Sequence, residues 1–344
     1  MKVLILGADG FIGSHLVEKI LKETDWQVVG FDLIKKNLKK VKHPNFTFKK
    51  GDIFKAGRWI EKQVADCDVV LPLVGVAKPM YYIKKPVWTF ELDFEQNLKV
   101  VKMCVKHKKR VIFPSTSEVY GMSPDKILKE DESPLMLGPI NKMRWIYSCS
   151  KQMMDRVITA YAQEQGLRYT LFRPFNWVGT RLDTFEDAKV RAARSITQMF
   201  YDVVTGRPIT LVNGGEQRRS FTYVGDALEA LMLIIANDDE RTNGQIFNIG
   251  NPDNNHSIKE LASYIVEVMK EFPEYKPFAD NAAIIPQPAA EYYGKTYEDA
   301  ADRRPSVEKI GSILGWKPRT TLKEMIRFTL RDYLSDFKKG KLTR

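Results

Sequence analysis

Tyr147 and Lys151 stand four residues apart, a spacing that places two side chains one above the other on a helix. An ammonium close to a phenol lowers the phenol's pKa by stabilising phenolate. A phenolate can take the proton of a sugar hydroxyl while hydride leaves the same carbon for a nicotinamide. Such a pair is common on protein surfaces, and its weight here comes from the run PSTSEVYG at 114–121. Ser115, Thr116, Ser117 and Glu118 cluster there at the end of a strand-like segment. The carboxyl ends of parallel strands face the crevice in which such sheets do their chemistry. Thr116 or Ser117 can donate to the oxygen that becomes a carbonyl.

A second constellation opens the chain. Gly7, Gly10 and Gly13 are spaced G-x-x-G-x-x-G, with Phe11 and Ile12 inside the turn, directly after the apolar run KVLILG. The first glycine permits a tight turn, the second a close approach of backbone to pyrophosphate, and the third close helix–strand packing. The following helix offers unpaired N–H groups to phosphates. Asp32 ends the next strand 19 residues beyond Gly13, where a carboxylate accepts ribose hydroxyls and disfavours the extra phosphate of NADP. The expected cofactor is therefore NAD. Asp52, beside Ile53 in the GDI segment, is placed to bond the adenine or to cap a local turn.

These residues need a sheet to carry them. Short apolar runs at 2–7, 27–32, 45–50, 67–74, 110–116 and 167–176 read as strands, and stretches at 11–24, 55–65, 88–107 and 147–165 as helices. This alternation predicts an α/β fold, a Rossmann-type doubly wound parallel sheet. Beyond 177 the pattern loosens into helices at 187–204, 224–236, 257–271 and 320–335 and short strands at 209–212 and 245–249, with most of the glycine and proline turn signals. The expected organisation is a NAD-binding domain with the catalytic residues over 1–176 and a smaller C-terminal, mainly substrate-binding lobe over 177–335. Some chain passes between the two, and 336–344 forms a basic tail.

Composition narrows the function. The chain has 344 residues, 44% of them apolar, and a net charge of +11, enough apolar content to bury a core. That charge suits an anionic small molecule. Zinc-finger spacing, a recognition-helix pattern and an aromatic–basic repeat are missing, so nucleic acid is not an expected partner. Uninterrupted apolar stretches of membrane-spanning length are missing too. The amino terminus does not read as a signal peptide, and a cytoplasmic location is expected. Three scattered cysteines and four scattered histidines predict neither a disulfide framework nor a metal site.

Over essentially its whole length the sequence resembles the extended short-chain dehydrogenase/reductases, through GADGFIG, Asp32, STSEVYG and YSCSK. More narrowly, FPSTSEVYG, WIYSCSKQ, LFRPFNWVG, SFTYVGDALEAL and DRRPS resemble the UDP-glucuronic acid decarboxylase domain of the bifunctional polymyxin-resistance enzymes. That resemblance implies oxidation at C4 of UDP-glucuronate by NAD, loss of the carboxylate as CO2, and a UDP-4-keto-pentose with NADH. The formyltransferase domain of those enzymes is not expected, because the sequence starts at its first strand. Glu118 matches the acid essential there, and Arg303 the arginine assigned to protonating C5. Stabilisation of carboxylate or enolate suits a guanidinium better than proton donation, and Arg304 is adjacent. Tyr82, Asn176, Arg194 and Arg219 are the implied substrate contacts. Thr210 stands where those enzymes have a lysine. The resemblance also implies a homodimer through a bundle of the 90–107 and 147–163 helices; Met153, Met154, Val157, Ile158 and Tyr161 make much of the latter apolar, and part of that face must cover the sheet. A redox-neutral nucleotide-sugar enzyme, either a UDP-xylose-forming decarboxylase or a 4-epimerase, is the alternative.

Overall fold

The computed structural model describes residues 1–237, 240–292 and 298–339. The first strand, β1 (Lys2–Leu6), lies between β2 (Gln27–Asp32) and β4 (Val69–Pro72), with β3 (Phe46–Lys50) outside β2. On the other side follow β5 (Arg110–Pro114), β6 (Tyr169–Pro174) and the strand Gln245–Ile249, and every pairing in this seven-stranded sheet is parallel. Chain order runs outward from β1 in both directions, so a crevice opens at the carboxyl ends of β1 and β4. This is the doubly wound sheet expected from the sequence.

The two-residue period of a strand sends neighbouring side chains to opposite faces, and β1 shows it. Val3 and Ile5 pack with Leu16, Val17 and Ile20 of α1 (Phe11–Glu23). Leu4 and Leu6 face the other way, toward Ile60 and Val64 of α2 (Gly57–Asp66). After β4 come α3 (Pro79–Lys84) and α4 (Pro86–Phe90), a π-helical stretch at Glu91–Gln96, and α5 (Asn97–Lys106). The single helix expected over 88–107 is thus interrupted, a local widening that the apolar spacing does not reveal.

After β5 comes a short 3-10 turn (Ser117–Tyr120), then loop to α6 (Trp145–Gln165), whose left-handed terminus falls on Gly166 at φ 70°, a conformation glycine takes without strain. Met154 and Ile158 of α6 are buried against the sheet with Val100 and Val101 of α5. Those two residues are therefore core rather than bundle surface, and Met153 is the exposed member of the apolar set.

A further core lies outside the sheet. The helix expected over 187–204 is two, α7 (Phe185–Lys189) and α8 (Ser195–Val204), parted where Arg191 takes φ 55°. Next come α9 (Val224–Ala236), which packs on the sheet beside α1, and α10 (Ile258–Met269). Phe200 of α8, Ile265 of α10 and Met325 and Leu330 of the helix Leu322–Lys338 form this core with the strand Ile209–Val212. Of the tail expected at 336–344, residues 340–344 lie outside the described residues. Among the described residues no helix is long and apolar enough to cross a membrane.

Ile158 is fully buried between α6 and the sheet. Ile158→Ala is expected to lower unfolding stability by about 2–5 kcal/mol, the range for aliphatic truncation in a core, in a urea titration. Unchanged stability would contradict this packing.

Candidate active site

The glycine turn is built to hold a phosphate. Gly7 has φ 85°, and a Cβ on Gly13 would stand 2.2 Å from the Gly7 carbonyl oxygen. Gly10 caps α1 without any side-chain hydrogen bond, so the helix N-terminus is left to an external acceptor. Asp32 accepts the backbone N–H of Asp9 at 2.8 Å on one oxygen and that of Leu33 at 2.7 Å on the other. Each oxygen keeps a lone pair for a ribose hydroxyl. Burial pushes the Asp32 pKa up. These features fit a dinucleotide.

Asp9 did not stand out from the sequence. Its buried carboxylate accepts the N–H groups of Lys36, Asn37 and Leu38 at 2.6, 3.1 and 2.8 Å, tying the loop after β2 to the glycine turn. An acid inside a glycine-rich turn was the available signal. Asp52 accepts the N–H of Phe54 at 3.0 Å, the turn cap weighed as its alternative. Ile53 packs against the core between the sheet and α2.

At the other end of the crevice a cleft of about 340 Å³ is lined by Phe11, Ile12, Tyr82, Asp93, Thr116, Ser117, Glu118, Tyr147, Lys151, Asn176, Arg194, Arg219 and Arg303 among others. The structure brings the expected catalytic residues together here. Tyr147 is buried, hydrogen-bonded to Thr116 and stacked on Tyr82, with ring centroids 4.6 Å apart and planes 4° from parallel. Tyr82, an implied substrate contact, lies on α3 and braces the phenol ring. Thr116 caps the 3-10 turn by accepting the Glu118 N–H at 3.2 Å. The structure thus pairs Thr116 with the phenol, of the two hydroxyls left open.

Lys151 corrects the simplest expectation. Its ammonium donates to the Pro114 carbonyl at 3.0 Å, stands 3.6 Å from the Asp93 carboxylate, and is 5.9 Å from the Tyr147 ring centroid. It is therefore spent on other partners, and the phenol is not lowered. Burial, then the negative charges of Asp93 and Glu118, push the Tyr147 pKa well above its ordinary value. Burial also lowers Lys151, against the opposing pull of Asp93 and Asp155.

Beside the phenol runs an alternating set of charges. Glu118 faces Arg144 at 2.8 Å and Arg303 at 3.6 Å. Arg144 reaches Asp299 at 3.0 Å, which pairs with Arg219 at 2.7 Å. Burial pushes Glu118 upward, but Arg144 and Arg303 outweigh it and hold the carboxyl below its usual value. Burial, reinforced by the nearby Arg219, brings Arg303 down to about 10. Arg304 instead donates to the Pro252 carbonyl at 3.1 Å, so Arg303 is the member of the pair that faces Glu118. Arg144 and Asp299 carried no motif and were missed; their roles come from a fold contact 155 residues long.

The implied substrate contacts divide. Asn176, at φ 39°, lines the cleft and donates to the Ser220 carbonyl at 3.3 Å. Arg194 reaches the cleft, but its guanidinium is held by Asp183 at 3.1 Å and by the Leu182 carbonyl. Its charge is thus already met by the protein's own carboxylate. Arg191 donates to Thr210 at 3.4 Å, so a guanidinium stands where the resemblance expects a lysine.

A model of the NAD dependent epimerase/dehydratase family matches residues 3–250. The chain belongs to that family. It is 44% identical to the PbgP3 protein of Burkholderia pseudomallei over 100% of this chain and 99% of that one, with a TM-score of 0.89. It also resembles a UDP-N-acetylglucosamine 4-epimerase of Methanobrevibacter ruminantium at 25% identity, covering 97% and 98% of the two chains at TM-score 0.81. A UDP-glucuronic acid 4-epimerase of Bacillus cereus, at 21% identity, 98% and 100% coverage and TM-score 0.80, shares the fold. For this epimerase/dehydratase family member the cofactor is NAD.

Gly13→Ala places a methyl where there is no space for one. It is expected to weaken NAD binding at least tenfold in calorimetry, with thermal unfolding showing a folded protein. Wild-type affinity would contradict the tight turn.

Proposed function

We propose that this enzyme oxidises C4 of UDP-glucuronate with NAD and then decarboxylates the product, yielding a UDP-4-keto-pentose, CO2 and NADH. The observation that carries this reading is the ionised Glu118 held between Arg144 and Arg303 in the same cleft as Tyr147 and Thr116. A simple alcohol oxidation needs a phenol and a hydroxyl; it does not need a buried acid between two guanidiniums. Loss of a carboxylate does make use of them.

NAD, when bound, accepts hydride from C4 and brings a positive ring charge into the cleft. Tyr147 takes the C4 hydroxyl proton, and Thr116 or Ser117 steadies the oxygen as it becomes a carbonyl. The phenol is held high in the free enzyme, so a cation arriving at the crevice has most to offer it. With C4 a ketone, the substrate is a β-keto acid. The bond from C5 to the carboxylate breaks, CO2 leaves, and the electron pair passes into an enolate across C5 and C4. Arg303 and Arg219 offset that charge, and C5 regains one proton, matching the one removed from the C4 hydroxyl. Glu118 positions the sugar and manages a proton in the oxidised stage. Lys151 holds the cofactor end, Asp32 its ribose, and Asn176 and Arg191 the diphosphate end.

The same reading extends to assembly and place. Met153 of α6 and Val87 and Trp88 of the adjoining α4 are exposed, an apolar face suited to a second copy packed as a helix bundle. Dependence on UDP-sugar and NAD suits the cytoplasm.

Purified protein given UDP-glucuronate and NAD is expected to form one NADH and one CO2 per sugar, followed by absorbance and product mass. Catalytic NAD with no accumulating NADH would favour redox-neutral chemistry instead. Glu118→Gln keeps the shape but removes the negative charge that faces Arg144 and Arg303. It is expected to lower turnover at least a hundredfold with NAD affinity within threefold of wild type. Full turnover in that variant would remove Glu118 from the reaction.

A further inference from the structure

Asp93 is a buried carboxylate that no motif marked. It lies in the π-helical stretch Glu91–Gln96, and such widened turns are frequent at functional sites. Its side chain has no exposed surface. One oxygen accepts the Val76 N–H at 3.2 Å, closing the turn after β4. The other has no hydrogen-bond partner and stands 3.6 Å from the Lys151 ammonium. Gly75 leaves the space for this meeting, because a Cβ there would lie 2.5 Å from that oxygen and 3.8 Å from the ammonium. Asp93, Gly75 and Lys151 all line the cleft.

We propose that Asp93 is a positioning residue for Lys151, holding its ammonium charged and directed at the Pro114 carbonyl beside the cofactor end of the cleft. An ion taken out of water must be paired or it loses its charge. The groups facing this ammonium are few: Asp93 from the π-helical stretch, the Pro114 carbonyl and Phe113 ring from β5, and Tyr147 and Asp155 from its own helix. Asp155 spends one oxygen elsewhere, accepting from Ser115 at 2.7 Å and facing Arg173 at 3.5 Å, and its other oxygen has no hydrogen-bond partner. Asp93 is the carboxylate that stands within ion-pair distance of the ammonium, at 3.6 Å. Its charge has an opposite effect on Tyr147, raising the phenol directly, so its positioning role lies with Lys151 and not with the phenol.

The inference rests on the proposed function only for its kinetic readout. Asp93→Asn keeps the acceptor for Val76 and the volume but removes the charge. With the carboxylate gone, the Lys151 pKa falls. The alkaline loss of NAD affinity, followed by calorimetry against pH, is expected to begin at least one pH unit lower than in wild type. The pH profile of kcat should narrow from the same side, with kcat at neutral pH down at least tenfold. Burial pushes Asp93 up to about 6 against the pull of Lys151, so an acid limb near that pH is expected in wild type and absent from the variant. Gly75→Ala wedges a methyl between the two groups and is expected to shift the alkaline limb in the same direction; it decides the matter if Asp93→Asn does not fold. Superimposed binding profiles in folded variants would overturn the proposal. If wild type forms no NADH from UDP-glucuronate, the functional reading fails, while the binding profiles still decide the role of Asp93.

Discussion

Taking ionisable groups out of water governs this structure. The cleft holds the stacked phenols of Tyr82 and Tyr147, the Lys151 ammonium, the carboxylates of Asp93, Glu118 and Asp299 and the guanidiniums of Arg144, Arg219 and Arg303 among its lining, most of them buried. Each charged form would be costly alone, and each is found with a partner of opposite sign or a backbone carbonyl. Glu118 is the case where the partners win, since two guanidiniums outweigh its burial. Tyr147 is the opposite case, because burial and two nearby carboxylates both disfavour phenolate. The site is set to keep its acid ionised and its phenol protonated until something cationic enters.

The fold supplies those partners from distant chain. β5 leads into Thr116, Ser117 and Glu118, and the first two turns of α6 carry Tyr147 and Lys151, packed beside it through Met154 and Ile158. The stretch at 298–306 adds Asp299 and Arg303, and the pair at 218–219 adds Arg219. The acid that distinguishes the site therefore depends on contacts spanning both cores. Rigid elements carry the alcohol chemistry, while loops carry the charge that would act on a carboxylate.

The sheet was legible because β-branched runs and glycine spacing are local signals. Gly7, Gly10, Gly13 and Asp32 could be read directly, as could Tyr147 and Lys151 at helical spacing. Arg144, Asp299 and Asp93 could not, since a lone charged residue in a loop or helix looks like a solvated one until the fold buries it. The direction of the Lys151 ammonium was equally hidden. Spacing places it on the face of Tyr147, but the Pro114 carbonyl and Asp93 decide where it points. The break at Arg191 escaped for a related reason: one left-handed residue ends a helix whose apolar pattern continues.

The central claim is that hydride leaves C4 of a carboxylate-bearing sugar and does not return. UDP-glucuronate deuterated at C4, incubated with NAD and analysed by mass, tests it most directly. The account predicts that each reduced cofactor carries one deuterium, in step with CO2 release, and that the released pentose carries none. Deuterium retained on the sugar, with no reduced cofactor accumulating, would contradict it.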